Sequence, residues 1–165
     1  MQKQDLPKLH ELVCRAKRNS FVGKLLSVDP GETTGISILE CTTNSTHLIH
    51  QEQLTTWPLE QGSPNLMKLF QTYLPTFMIF ESYHIYRWRL QEHSFSQVPT
   101  TQIIGCLKTW AIHFGVKYRE QTAQAGKGFF TDHRLKTFGL YFEGQPHARD
   151  SLKHAAQFLV FGVNK

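Results

Sequence analysis

Apolar residues fall into two rhythms along the chain. Leu6, Leu9, Leu12 and Val13 recur at helical spacing behind Asp5, a capping residue, and Asn19-Ser20 breaks the pattern, so a helix is predicted from Leu6 to Arg18. Lys24-Leu25-Leu26-Ser27-Val28-Asp29 then runs apolar into a turn, Pro30 to Gly35, and Ile36-Ser37-Ile38-Leu39 leaves it. That is a hairpin whose first strand ends in an acid. Thr46 to Thr55 offers a third strand, and Leu66, Leu69, Phe70 and Tyr73 mark a helix stopped by Pro75. Phe77-Met78-Ile79-Phe80 is apolar without interruption, as expected of a strand covered on both faces, and ends in Glu81.

Ile103, Leu107, Trp110, Ala111 and Phe114 define a long helix that either covers the sheet or pairs subunits. A fifth strand is expected from Lys117 to Thr122, and Ala123 to Gly128 reads as a flexible basic loop. A short helix near Asp132 to Phe138 precedes a last one from about His147 to Phe161, with Pro146 in the first turn. The plan is α/β: a mixed five-stranded sheet, three strands antiparallel and then parallel ones, flanked by helices. Residues 1–22 form a basic helix or arm, and 23–165 form one domain, the size that 165 residues support.

Composition narrows the function classes. No apolar stretch approaches the roughly 20 residues of a membrane-spanning helix, and the N-terminal segment is polar, so a cytoplasmic protein, or one in an organelle or virus-infected compartment holding DNA, is expected with no membrane partner. Cys14, Cys41 and Cys106 are too scattered for a disulfide framework or a zinc pair. The net charge of +5 suits a polyanion, and its distribution is more informative than its sum. Between Ser82 and Lys136 eight basic side chains stand against three acidic ones, and in the first 24 residues six stand against two. The remainder, net acidic, holds most of the candidate catalytic carboxylates.

Asp29 and Glu81 each follow a strong apolar strand, so adjacent strands would present both at one sheet edge. Asp150 lies near the start of the last helix, with His147 three residues before and His154 four after, on roughly one helix face. Carboxylates with an imidazole suit Mg²⁺, or Mn²⁺, and acids at strand ends can hold two such ions about 4 Å apart for phosphodiester hydrolysis. Taken singly, each residue also has a plainer role: an Asp before Pro-Gly forms turns, a Glu ending a strand is solvated, and an acid near a helix start meets the helix dipole. The combination is what points to a site.

The stretch Leu25 to Gly35, with Asp-Pro-Gly and a later Gly, resembles the opening motif of RuvC-type Holliday junction resolvases, members of the RNase H-like and retroviral integrase-like superfamily. Phe77 to Glu81 is similar to their second motif, and His147-Ala148-Arg149-Asp150-Ser151-Leu152 to their third. The three occur in order between Leu25 and Phe161. The resemblance implies an RNase H-like fold and a homodimeric, magnesium-dependent endonuclease that resolves four-way DNA in recombination and repair by symmetric cuts. It makes Asp29, Glu81, His147 and Asp150 the metal-site residues, and Lys127 and Arg134 the nearest matches to the family's phosphate-holding bases, Lys127 as a catalytic residue. The family also places an aromatic after its second motif, where Tyr83, Tyr86, Arg87 and Arg89 mix rings that stack on bases with phosphate-binding charge. Arg119 and Lys136 complete the candidate DNA-binding set.

Three alternatives stay open: a nuclease of this fold acting on other branched DNA or RNA, a module that binds branched DNA without cutting it, and a phosphate-binding turn of an actin-like or Hsp70-like ATPase. The last needs two such domains, more than this length supplies.

Overall fold

The structure is a computed structural model that describes residues 3–16, 21–83 and 98–162. Six strands form one sheet in the order β1-β4-β3-β2-β5-β6: β1 (Gln4–Asp5), β2 (Gly23–Asp29), β3 (Thr33–Cys41), β4 (Thr46–Thr55), β5 (Phe77–Glu81) and β6 (Lys117–Gln121). The strands β1, β4, β3 and β2 pair antiparallel, whereas β2 with β5 and β5 with β6 pair parallel. The expected order of pairing is therefore present, with one strand more than expected. The extra strand, β1, is two residues long and leaves no periodicity to read.

Period-two alternation splits the strands between two cores. Leu25, Leu39, Cys41 and Ile79 face one side, with α1 (Pro7–Ala16), α5 (Asp132–Phe138) and α6 (Pro146–Phe161). Leu26, Val28, Ile36, Ile38, Met78 and Phe80 face the other, with α2 (Leu59–Tyr73) and α3 (Pro99–His113). Leu6 and Leu9 are buried in the first core together with Leu152 and Val160, so residues 4–16 share the hydrophobic interior of the chain that follows. On α3, Ile103, Ile104, Leu107 and Ala111 are buried against the second core, whereas Ile112 is exposed.

Residues 123–129 correct the expected loop: they form a helix, α4 (Ala123–Phe129). Two glycines, Gly126 and Gly128, lie within it, and a Cβ on Gly126 would lie 2.7 Å from the His154 ring. At this position glycine permits close packing of α4 on α6. No helix is long and apolar enough to cross a membrane among the described residues, and Cys14, Cys41 and Cys106 are free thiols.

Candidate active site

The same alternation that sorts the cores aims the acids. Asp29 follows Leu25 and Ser27 at steps of two, and Glu81 follows Phe77 and Ile79, so both belong to the α6 side of two adjacent parallel strands. Two rows run across the sheet beneath the start of α6. One pairs Gln53 with Gly35 and Gly35 with Asp29; the next pairs Gln51 with Ser37 and Ser37 with Ser27.

These rows hold the helix by hydrogen bonds in place of hydrocarbon packing. Ser27 Oγ donates to the Ser151 carbonyl at 2.6 Å, and Ser37 Oγ lies 2.7 Å from Ser151 Oγ. Gln51 Nε2 donates to the Ala148 carbonyl at 3.1 Å, and the His147 amide donates to Gln53 Oε1 at 3.2 Å, which satisfies an otherwise orphaned N–H of the first helical turn. A Cβ on Gly35 would stand 1.9 Å from the His147 carbonyl oxygen, so the helix approaches closely only because residue 35 is glycine. Ser27, Ser37 and Ser151 are fully buried.

His147 Nδ1 lies 2.9 Å from Asp29 Oδ2. Two turns further along α6, the buried His154 places Nε2 3.1 Å from Glu81 Oε2 and Nδ1 2.7 Å from Gln121 Oε1. Between them Asp150 accepts from Lys153 Nζ at 2.8 Å, and Lys153 also bridges to Asp132 of α5 at 2.7 Å. Burial pushes the Asp29 carboxyl above its usual range; the His147 hydrogen bond opposes this, and the nearby charges of Glu81 and Asp150 add to it. Lys153 is pulled down by burial and raised by more through its hydrogen bonds to Asp132 and Asp150.

The three acids thus share one electrostatic neighbourhood, each with a donor of its own. Among the described residues no three His, Cys, Asp or Glu side chains are gathered into a ready-made metal cage. The donor set, three hard carboxylates and one imidazole with the Asp29 charge disfavoured by burial and further by its acidic neighbours, nevertheless fits a hard divalent cation, which would offset both.

The candidate nucleic-acid residues are dispersed. Arg119, on β6, shares the sheet face of Gln121 and lines with it a cavity of about 280 Å³. Arg134 lies 4.0 Å over the Phe129 ring and donates to the Phe129 carbonyl, and Lys136 sits 4.5 Å over Tyr141. Tyr83 is partly buried against the α2–α3 core. Lys127 belongs to α4, but its side chain lies outside the described residues, as do Tyr86, Arg87 and Arg89. Sequence reasoning passed over the supports: Ser27, Gly35, Ser37, Gln51, Gln53 and Gln121. A serine in each of two apolar strands, Ser27 and Ser37, was the available signal, because a polar side chain on a covered strand needs a partner.

A mixed sheet with a helix-borne acid facing acids at two strand ends defines the class: an RNase H-like α/β fold. Within it the likeness is to RuvC-type Holliday junction resolvases. Thermus thermophilus RuvC, in complex with a Holliday junction substrate, superposes with a TM-score of 0.64 at 17% identity, over 84% of this chain and 94% of that one. The fowlpox virus Holliday junction resolvase gives 0.55 at 17% identity over 82% and 97%, and the yeast mitochondrial Holliday junction resolvase 0.54 at 12% over 93% and 84%. No protein-family model and no curated protein matches the sequence.

Proposed function

We propose that this chain is a divalent-metal-dependent endonuclease that resolves four-way DNA junctions by paired phosphodiester hydrolysis, working as a homodimer. The observation that carries the reading is that Asp29 and Glu81 stand at the ends of adjacent parallel strands, with Asp29 within electrostatic reach of both Glu81 and Asp150 of α6, in the fold of junction resolvases. Asp29, Glu81, Asp150 and His147 would hold Mg²⁺ or Mn²⁺, two ions per site. Such cations supply, when bound, Lewis-acid activation of water and stabilisation of the charge that departs with the 3′ oxygen.

The chain's own contribution is placement. The serine and glutamine rows fix the first turn of α6, so that Asp150 and His147 face the strand-end acids with little freedom to lose on binding. His147 orients the Asp29 carboxylate through Nδ1. Lys127, Arg134, Arg119 and Lys136, with Tyr83, Tyr86, Arg87 and Arg89, are the proposed DNA contacts, Lys127 beside the scissile phosphate. A two-fold dimer matches a two-fold junction and gives each strand an equivalent cut.

The test is cleavage of a labelled four-way junction in Mg²⁺, alongside flaps, forks, linear duplex and RNA. Preferential, symmetric junction cutting that Asp29→Asn abolishes while DNA binding persists is the expected outcome. Equal cutting of all substrates would remove the junction assignment, and junction binding without any cutting would leave a binding module.

A further inference from the structure

Glu81 has a support that its own strand does not supply. We propose that His154 and Gln121 are positioning residues for Glu81, forming a relay through a buried ring that fixes which carboxylate oxygen is left for a divalent cation; this rests on the metal-dependent reading above.

The geometry is a line of three side chains from three elements: Glu81 at the end of β5, His154 two turns into α6, and Gln121 at the end of β6. Glu81 and Gln121 are register partners on neighbouring parallel strands, and the ring lies across both. It is fully buried, and the α4 backbone at Gly126 closes on it so tightly that a single added methyl would overlap the imidazole. A ring so enclosed has one orientation.

Its proton arrangement follows from its partners. Nε2–H donates to Glu81 Oε2, because a carboxylate only accepts. A neutral ring carries one N–H, so the Gln121 amide is then turned to donate its NH₂ to Nδ1; with the Gln121 oxygen there, the ring is an imidazolium that donates from both nitrogens. One oxygen of Glu81 is thereby held by the protein, and the other, Oε1, keeps the orientation that the relay imposes. Outer partners of this kind set the direction and basicity of a metal-binding group, and their loss typically lowers metal affinity about 10–100-fold. His147 acts differently, since its side chain is 45% exposed and belongs to the proposed ligand set.

The readout is Mn²⁺ affinity, measured on the full chain without DNA by titration calorimetry and by the paramagnetic resonance signal of unbound Mn²⁺. His154→Ala is expected to weaken binding about 10–100-fold. His154→Gln, whose amide reaches the Nε2 position, is expected to recover most of it, and Gln121→Ala to lose a smaller part. In junction cleavage the Mn²⁺ concentration giving half-maximal rate should move in parallel. Wild-type affinity in folded His154→Ala, or a loss that His154→Gln fails to recover, overturns the proposal. If His154→Ala does not fold, Gln121→Ala decides on the same measurement, and unchanged affinity there overturns it. A wild-type chain that binds no Mn²⁺ would instead strike at the metal-dependent function itself.

Discussion

Two histidines seven residues apart on α6 each meet one strand-end acid, and they do so in opposite surroundings. The His147 side chain is 45% exposed beside Asp29, whereas His154 is 0% exposed beside Glu81. The His147 ring can exchange partners with solvent, a cation or a phosphate at modest cost. The His154 ring cannot rearrange without opening the packing of α4 on α6. One helix therefore presents an adjustable contact and a fixed one, and the distinction comes from where the chain covers the helix rather than from residue type.

The largest expected effect treats the two acids alike. Asp29→Asn and Glu81→Gln each remove a proposed anionic ligand worth several kcal/mol in the transition state, so junction cleavage should fall about 10³-fold or more for both. Single-turnover cleavage with junction binding measured alongside checks this. Near-normal cleavage by either variant would show that the acids are not a pair.

The histidines, by contrast, should separate on stability. His154→Ala takes the shared partner from Glu81 and Gln121 and leaves a buried cavity, at a cost of about 2–4 kcal/mol. His147→Ala, at the rim, should cost less than about 1 kcal/mol. Urea unfolding of both variants measures the difference, and equal costs would erase the rim–interior distinction.

Gly35→Ala tests what holds the rim in place. The new methyl would collide with the His147 backbone, and forcing such a group into a packed contact typically costs about 1–3 kcal/mol. The start of α6 would have to lift, taking His147 and Asp150 with it. Cleavage should therefore fall by more than the stability loss explains, which activity measured well below the unfolding midpoint would show.

How much of this was legible depends on the length over which a pattern repeats. β4 runs from Thr46 to Thr55 as expected, and the pairing of strands follows the alternation of Leu25 to Asp29 and the unbroken run of Phe77 to Phe80. Asp29 and Glu81 could be placed because a strand end fixes a side. β1 could not, since two residues carry no period, and nor could α4, whose Gly126 has its reason in the His154 ring, 28 positions away. The hydrogen bonds that seat α6 join residues 94 to 124 positions apart. Nothing local in Gln51 or Gln53 announces such partners.

The smallest expected effect concerns the charge on Asp29. Its carboxyl is raised in the folded chain, chiefly by burial, with Glu81 and Asp150 adding to the shift. The folded state therefore binds this proton more tightly than the unfolded state, whose carboxyl titrates near pH 3.9, and the group's contribution to stability falls as pH rises from there through the folded value. At neutral pH without metal, Asp29→Asn should accordingly be the more stable protein, by about 1 kcal/mol or roughly 2–4 °C in Tm for a chain of this size. Thermal melts in chelator, begun near the unfolded carboxyl's titration and carried to neutral pH, should show the gap widening with pH and then levelling off once the folded carboxyl has ionised. Added Mg²⁺ should close it by stabilising only the wild type, since a cation offsets the repulsion that Asn has already removed. A gap that narrows with rising pH would mean that His147, rather than burial, governs the charge at the rim.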